Sequence, residues 1–334
     1  MSDDRPRILV LGGAGMIGRN FVKHCIDHDL CSYIRIADKT MPEIAYFGPE
    51  HKQAFADSRV KFVQADLTRD AHLERAFNLE TAPYDFVFNL AGETKCGLSE
   101  SVYASKCRDL SVKCAKYASQ KRSELGIRRF IEVSTAFVYK SQAKQPACET
   151  AELHPWTMQA KYKLEAEEAI REEANLDAVF VRPATVHVND VCRALWHLTS
   201  HGKSGEVFNL ADKNDTNQEK INALLEEIFK IRTGFIGKLV SNLARVRMSD
   251  VVDEANDKHM KPWSDLCAEH GINNTPLSPY IDKELLQHNH LFVDGSKIES
   301  TGFSYAHPRV ETAELRQVIE AMIAQGIFPP ILSS

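Results

Sequence analysis

The sequence predicts an α/β fold, in which a Rossmann-type doubly wound parallel sheet is followed by a smaller, mainly helical C-terminal substrate domain. Short apolar runs alternate with helical patterns through the first two-thirds of the chain. Most of these runs are continuously apolar rather than alternating, which is typical of parallel strands buried on both faces. A glycine-rich turn joins the first run to the first helix, as in dinucleotide-binding sheets.

The elements follow one another in the order expected for such a sheet. The predicted strands are residues 7–11, 33–37, 60–65, 85–90, 129–133, 178–181 and 207–209. The predicted helices are residues 16–28, 70–77, 99–125, 157–174 and 311–325. We expect residues 1–212 to form the sheet domain, residues 213–292 the smaller substrate domain, and residues 293–334 a C-terminal segment that packs back on the core.

Composition excludes several classes of protein. The chain has 334 residues, a net charge of −5 and a pI near 6.2, which argues against nucleic acid as the main partner. The acidic N-terminus lacks a secretory pattern and no window is apolar enough to span a membrane, so we expect a cytoplasmic protein. The eight cysteines form no Cys-x-x-Cys pair, and no His/Cys group has zinc spacing. We therefore expect reduced thiols and no metal.

The glycine-rich turn is the strongest functional pattern. A strand runs directly into Gly12-x-x-Gly15-x-x-Gly18, and Met16 and Ile17 open the helix that follows. Gly12 permits the tight turn, Gly15 lets the backbone approach a pyrophosphate, and Gly18 allows close packing of the helix on the strand. The helix N-terminus would face the phosphates with its unpaired N–H groups. This context predicts a nicotinamide dinucleotide site.

Asp38 ends the second predicted strand, twenty residues after Gly18. An acid at this place accepts hydrogen bonds from the adenosine ribose hydroxyls and repels a 2′-phosphate. The cofactor predicted is therefore NAD, with NADP disfavoured, although the adjacent Lys39 could soften this preference. The alternative for Asp38 is a carboxylate that only caps the loop.

Further motifs make the chain similar to the extended short-chain dehydrogenases/reductases, which include nucleotide-sugar epimerases and dehydratases and sterol-type 3β-hydroxy dehydrogenases. The resemblance rests on the Gly12–Gly18 spacing, Asp66-Leu67, Asn89-Leu90-Ala91-Gly92, Val-Ser-Thr-Ala-Phe-Val-Tyr at 133–139, Arg182-Pro183, and Asp294-Gly295-Ser296-Lys297 with Thr301-Gly302-Phe303. It implies that Asp66 and Leu67 contact the adenine. It also implies that Leu90, Ala91 and Gly92 line the cofactor and that Pro183 lies beside the nicotinamide.

The resemblance also implies a catalytic set. Thr135 would polarise the substrate oxygen, and Lys163 would hold the nicotinamide ribose and lower the pKa of a tyrosine four residues earlier. Gln159 stands at that position and has no titratable proton. Tyr162 is about 100° around the helix from Lys163 and is expected to point elsewhere.

Three interpretations of this departure remain open. Another group, such as Tyr162 after a local shift, supplies the proton. Alternatively, Thr135 and Lys163 suffice together with water, or the protein binds NAD without turnover. We expect an NAD-dependent oxidoreductase, epimerase or dehydratase that acts on a hydroxyl-bearing carbon of a nucleotide-sugar or sterol-like small molecule. The alternative is a redox-inactive NAD-binding sensor or scaffold.

A second departure lies between Val186 and His187. In the family that the chain resembles, a substrate-binding segment usually separates the motifs that meet here, so the junction looks like an internal deletion. We expect Asn189 or Asp190 to cap the next helix, which would run through His201, and His187 to be a capping or packing residue.

Two surfaces carry expectations about partners. Residues 228–248 form a basic amphipathic pattern that could lie on a membrane surface, although packing within the substrate domain is the commoner use of such a pattern. The family resemblance implies a homodimer, in which helices 99–125 and 157–174 pair with their copies.

Overall fold

The seven strands form one parallel sheet. The structure is a computed structural model that describes residues 4–78, 83–235, 248–286 and 289–332. The strands are β1 (Arg7–Leu11), β2 (Tyr33–Asp38), β3 (Val60–Gln64), β4 (Phe86–Asn89), β5 (Arg129–Val133), β6 (Ala178–Pro183) and β7 (Val207–Leu210), in the order β3-β2-β1-β4-β5-β6-β7. Every adjacent pair is parallel. The predicted doubly wound fold is thus confirmed.

Helices cover both faces of this sheet. They are α1 (Met16–Asp27), α2 (Pro49–Phe55), α3 (Asp70–Phe77), α4 (Glu100–Tyr103), α5 (Leu110–Gln120), α6 (Arg122–Leu125), α7 (Met158–Arg171) and α8 (Val188–His197). Alternate residues of a strand belong to two separate apolar clusters, one on each face of the sheet. Ile8 and Val10 pack with α1 and α8 on one side, while Leu9 and Leu11 pack with α3 and α5 on the other. Strands buried on both faces explain the continuous apolar runs.

The predicted helix over residues 99–125 is wrong as a single helix. It divides into α4, a π-helical segment (Ala104–Asp109), α5 and α6, and it ends at Gly126 with a φ of 69°. Cys107 in the π-helical segment packs with Tyr103 and with Tyr162 of α7. A widened turn re-registers the side chains of a helix, and hydrophobic periodicity alone does not reveal it.

The chain crosses from β6 to α8 in a short loop around the Val186–His187 junction. His187 is the N-cap of α8, and its Nδ1 accepts a hydrogen bond from the backbone N–H of Asn189 at 3.2 Å. The prediction of Asn189 or Asp190 as the cap is therefore wrong, and the expectation that His187 is a capping or packing residue is confirmed. Asp190 is fully buried and instead accepts from the backbone N–H groups of Ala306 and His307, both at 2.8 Å. The helix ends at His197, one turn before His201.

Two compact units divide the chain. The first comprises residues up to 213 and residues 289–308, and the second comprises residues 214–288 and 309–334. The second unit contains α9 (Gln218–Phe229), α10 (Met248–Glu269) and α11 (Thr312–Ala324). Within it, the ring of Phe328 lies 6.1 Å from that of Phe229 and 5.8 Å from that of Trp263. The segment predicted as 293–334 is thus shared between the two units.

The amphipathic segment 228–248 is described only in part. Residues 236–247, which carry most of its pattern, lie outside the described residues. Among the residues that are described, no helix has the length and apolarity needed to cross a membrane.

Candidate active site

In open parallel sheets a ligand cleft lies outside the carboxyl ends of the strands, and the turn between β1 and α1 lies at that edge. Gly12 has a φ of 79°, and a Cβ added there would lie 2.6 Å from the backbone nitrogen of Ala91. A Cβ on Gly18 would lie 2.5 Å from the carbonyl oxygen of Gly12. Both glycines are therefore required by close backbone contacts, Gly12 with the loop after β4 and Gly18 within the turn.

Gly15 differs from its two partners because an added Cβ would make a single close contact. It is exposed, and a Cβ there would meet only the carbonyl oxygen of Gly12, at 3.3 Å. Gly15 is also the N-cap of α1 and provides no side chain to the first N–H groups of the helix. Met16, which is 58% exposed, and Ile17 follow it. An uncapped helix N-terminus beside an exposed glycine suits a pyrophosphate.

Asp38 lies at the end of β2, beside this turn. Its Oδ2 accepts a hydrogen bond from the backbone N–H of Ala14 at 3.0 Å, and its Oδ1 accepts from that of Thr40 at 2.9 Å. Burial raises the pKa of the Asp38 carboxyl, although these N–H groups and Lys39 oppose the rise. The carboxylate therefore shapes the loop beside the glycine turn.

The Asp66-Leu67 pair follows β3 in the same row of strand ends. Oδ1 of Asp66 accepts hydrogen bonds from the backbone N–H of Thr68 at 3.2 Å and from its hydroxyl at 2.7 Å. Leu67 is buried and packs in the same apolar cluster as Ala37 of β2. The pair thus extends the cleft edge from Asp38 towards β3.

The loop after β4 forms the floor between the glycine turn and α7. The backbone N–H of Leu90 donates to the carbonyl of Leu11 at 2.8 Å, and that of Ala91 donates to Oδ1 of Asn89 at 3.3 Å. Gly92 lies against Lys163, since a Cβ on Gly92 would be 3.4 Å from the Nζ atom. The loop therefore connects the predicted cofactor residues to the predicted catalytic lysine.

Lys163 is buried in the second turn of α7, a helix that is N-capped by Thr157. Its Nζ donates to Oε1 of Glu132 at 3.0 Å and to the carbonyl oxygen of Val133 at 2.8 Å. Glu132 is fully buried on β5. The sequence analysis missed Glu132, and the pattern that could have revealed it is a lone charge inside an apolar strand.

Thr135 follows β5 and is partly exposed. Its Oγ1 accepts a hydrogen bond from the backbone N–H of Phe137 at 3.2 Å, so that it caps the short turn Ala136–Val138. The adjacent Ser134 is 8% exposed, and its hydroxyl has no hydrogen-bond partner among the described residues. Since buried hydroxyls are normally paired, Ser134 is a second candidate for a ligand contact that the sequence analysis missed.

The structure separates Gln159 and Tyr162. Nε2 of Gln159 donates to the carbonyl oxygen of Glu93 at 2.8 Å, in the loop after β4. The Tyr162 hydroxyl donates to Oε1 of Glu100 at 2.7 Å, and its ring packs with Tyr103. Gln159 therefore borders the same loop as Lys163, whereas Tyr162 is directed to α4.

Pro183 ends β6 next to a buried ion pair. Arg182 is 1% exposed, and its Nη2 lies 2.6 Å from Oε2 of Glu167, which is fully buried. Nη1 of Arg182 donates to the Tyr139 hydroxyl at 2.8 Å. This network ties β6 to α7, and thereby fixes the helix that carries Lys163.

These groups fit a dinucleotide such as NAD. The exposed Gly15 at an uncapped helix N-terminus suits a pyrophosphate, and the carboxylate at the end of β2 suits a ribose. Lys163 and the unpaired hydroxyl of Ser134 supply polar contacts further along the cleft. A sequence model of the NAD-dependent epimerase/dehydratase family matches residues 8–186.

The chain belongs to this family. The match covers β1 through β6 and thus every residue discussed in the cleft. It confirms the resemblance to extended short-chain dehydrogenases/reductases. The cofactor of the family is NAD, which is the cofactor predicted from the glycine-rich turn.

Solved structures share the fold. The DesIV dTDP-glucose 4,6-dehydratase of Streptomyces venezuelae, solved with NAD bound, is similar at a TM-score of 0.70 and 18% identity, over 97% of this chain and 99% of that one. The UDP-glucuronic acid 4-epimerase of Bacillus cereus, in complex with NAD, gives 0.54 and 18%, over 66% and 83%. The ADP-L-glycero-D-manno-heptose-6-epimerase of Helicobacter pylori gives 0.55 and 18%, over 68% and 84%. No curated protein sequence matches the chain.

Proposed function

We propose that the chain binds NAD in this cleft and acts as an epimerase or dehydratase on a hydroxyl-bearing carbon of a nucleotide sugar. The observation that carries the proposal is the buried Lys163, whose Nζ lies against Gly92 of the β4 loop. A buried lysine that faces a cofactor loop is typical of a functional rather than a solvated position. The substrate class follows from the similarity to nucleotide-sugar enzymes.

The residues divide the work as follows. The turn of Gly12, Gly15 and Gly18 receives the pyrophosphate, and Asp38 accepts hydrogen bonds from the adenosine ribose. Lys163 orients the nicotinamide end, and the hydroxyls of Ser134 and Thr135 bind the substrate oxygen. Bound NAD supplies the hydride acceptor.

The proton acceptor distinguishes this site from one with a tyrosine at position 159. The Gln159 amide cannot take a proton, and the Tyr162 hydroxyl is held by Glu100. A water molecule beside Lys163 and Thr135 is therefore our proposal for the acceptor. The substrate proton then leaves to solvent rather than to a side chain.

A second candidate function is an NAD-binding protein without turnover. Gln159 favours it, because its amide donates a hydrogen bond to the Glu93 carbonyl at 2.8 Å. The position expected for a catalytic tyrosine thus makes a structural contact instead. Such a protein would respond to NAD by binding alone.

One experiment separates the two. Purified protein with NAD is incubated with a panel of nucleotide sugars, and products are followed by NMR while transient NADH is followed by fluorescence. Turnover by the native chain that is lost in Lys163→Met supports the enzyme. Turnover in Gln159→Tyr alone, with Gln159→Phe as the matched control, supports the protein without turnover. The absence of NAD binding would contradict both.

The homodimer remains a separate proposal. Helices α4 and α7 lie together and are bridged by Lys161 and Glu100 at 2.8 Å, while Arg108 bridges to Glu165 at 2.9 Å. We propose that the outer face of α5 and α7 pairs with a second copy. Sedimentation velocity tests this, and a monomer at all concentrations would contradict it.

A further inference from the structure

The ammonium group of Lys163 is only partly satisfied by the protein. It has three N–H donors, and two of them are used, by Glu132 and by the carbonyl of Val133. Within the described part of the chain, no third acceptor contacts it. The side chain is 8% exposed. One donor therefore remains for an oxygen of a ligand at the Gly92 loop.

Glu132 has a fuller set of partners. Its Oε1 accepts from Lys163 and, at 2.8 Å, from the hydroxyl of Ser111, while its Oε2 accepts from Nδ2 of Asn89 at 2.6 Å. Asn89 in turn holds the backbone N–H of Ala91. A continuous chain of hydrogen bonds thus runs from the β4 loop through Glu132 to Lys163.

Two thiols lie near this pair. Burial raises the pKa of both Cys107 and Cys114, so that they stay protonated and contribute no negative charge. The charge of Lys113 acts on Cys114 in the opposite direction, without reversing the effect of burial. Neither thiol therefore supplies a countercharge to Lys163.

Glu93 is the other carboxylate on this side. Burial opposes its ionisation, but the backbone N–H of Lys95 and the ammonium groups of Lys106 and Lys39 lower its pKa overall. Its Oε2 lies 3.3 Å from Nζ of Lys106. The charge of Glu93 is thus balanced by its own lysines, and Gln159 of α7 carries no charge.

We infer that Glu132 is a positioning residue that supplies the permanent countercharge of Lys163 and holds its ammonium group at the cofactor loop. In this chain the negative charge comes from β5, since a phenolate at position 159 is absent. A buried ammonium without a partner is destabilised. Because the opposite charges of Lys163 and Glu132 cancel, the pair does not repel the positively charged ring of oxidised NAD.

The test uses Glu132→Gln, which keeps the shape of the side chain and removes its charge. The inference rests on the proposed function, because the quantity measured is the affinity for the cofactor. The dissociation constants of NAD and NADH are measured by titration calorimetry. The control is Glu168→Gln, an exposed carboxylate on α7.

The expected result concerns the ratio of the two constants. The native protein and Glu168→Gln should give the same ratio. In Glu132→Gln, NAD should bind about tenfold or more weakly relative to NADH than in the native protein, because the unbalanced ammonium repels the positively charged ring of oxidised NAD. The same ratio in Glu132→Gln as in the native protein would overturn the inference.

A stability comparison keeps the test decisive if Glu132→Gln folds poorly. Glu132→Gln/Lys163→Met removes both charges and should raise the Tm above that of Glu132→Gln, because it removes the uncompensated ammonium. A double variant that is no more stable than Glu132→Gln would overturn the inference. If the native protein binds neither cofactor, the proposed function fails, while this comparison still decides the role of Glu132.

Discussion

The Nζ atom of Lys163 lies 3.0 Å from Oε1 of Glu132, and both side chains are buried beneath the carboxyl end of β5. One residue further along β5, the carbonyl of Val133 accepts a second bond from the same ammonium. The strand therefore holds the lysine of α7 by both its side chain and its backbone. Gln159, one turn earlier on α7, takes no part and bonds to the β4 loop. The reactive end of the cleft is organised by the sheet rather than by a pair of residues on one helix.

Two glycines of the turn should respond differently to alanine. Gly15→Ala adds a Cβ that meets one atom at 3.3 Å, so it should fold normally but obstruct the pyrophosphate. Gly18→Ala forces a Cβ to 2.5 Å from the Gly12 carbonyl, so it should destabilise the turn itself. Thermal unfolding and NAD titration of both variants check this. Equal loss of stability in the two variants would contradict the assignment of separate roles.

Asp38→Asn should weaken NAD binding by about 10- to 100-fold, because hydrogen bonds to a charged group contribute roughly 1.5–3 kcal/mol. The loss for NADP should be smaller, since the carboxylate no longer repels the 2′-phosphate. Glu43→Gln, an exposed acid on the following turn, is the control. Unchanged NAD affinity in Asp38→Asn would mean that the carboxylate only shapes its loop.

The pH dependence of binding follows from the same carboxyl. Burial raises the pKa of Asp38, and only the ionised form accepts hydrogen bonds from both ribose hydroxyls. Acidification should therefore weaken NAD binding at a higher pH than the ordinary range of an aspartate, about 3.9. Titration calorimetry at decreasing pH should show this loss in the native protein and not in Asp38→Asn. Parallel curves for the two proteins would exclude Asp38 as the titrating group.

Removal of the Ser134 hydroxyl and of the Thr135 hydroxyl should have different effects on the stability of the protein. Ser134→Ala removes a buried hydroxyl without a partner, so the free energy of unfolding should stay the same or rise. Thr135→Ala removes a cap and should cost about 1 kcal/mol. Urea unfolding measures both. If Ser134 contacts a ligand, its variant should also bind substrate more weakly; a stability loss in Ser134→Ala would instead indicate a structural partner.

The buried pair of Arg182 and Glu167 should be strongly coupled. Arg182→Met leaves a fully buried carboxylate without its main partner and should lower the free energy of unfolding by about 3–5 kcal/mol. The double variant Arg182→Met/Glu167→Met should recover most of this loss. Additive losses in a double-mutant cycle would contradict the coupling.

The sheet could be predicted from the sequence because parallel strands buried on both faces leave a local apolar signature. The bounds of β1 and β5 agree with prediction, and β6 extends further, to Pro183. The glycine turn was equally local. Contacts between distant segments left no such signature, as Asp190 shows, since it accepts hydrogen bonds from the backbone N–H groups of Ala306 and His307.

The site was predictable only where one motif carries the chemistry. Thr135 and Lys163 were predicted from the resemblance of their motifs to those of the family, and the structure places Lys163 at the β4 loop. Glu132 was missed because its partners come from β4, α5 and α7, which the sequence separates widely. The π-helical segment and the short helix α2 were missed as well, since neither has enough length for a periodic pattern.

Titration calorimetry of the purified chain with NAD, NADH and NADP tests the central claim most directly. The account predicts that NAD binds more tightly than NADP, and that Gly15→Ala loses this binding while it stays folded. A folded native protein that binds none of the three would contradict the assignment of the cleft, and with it the proposed activity.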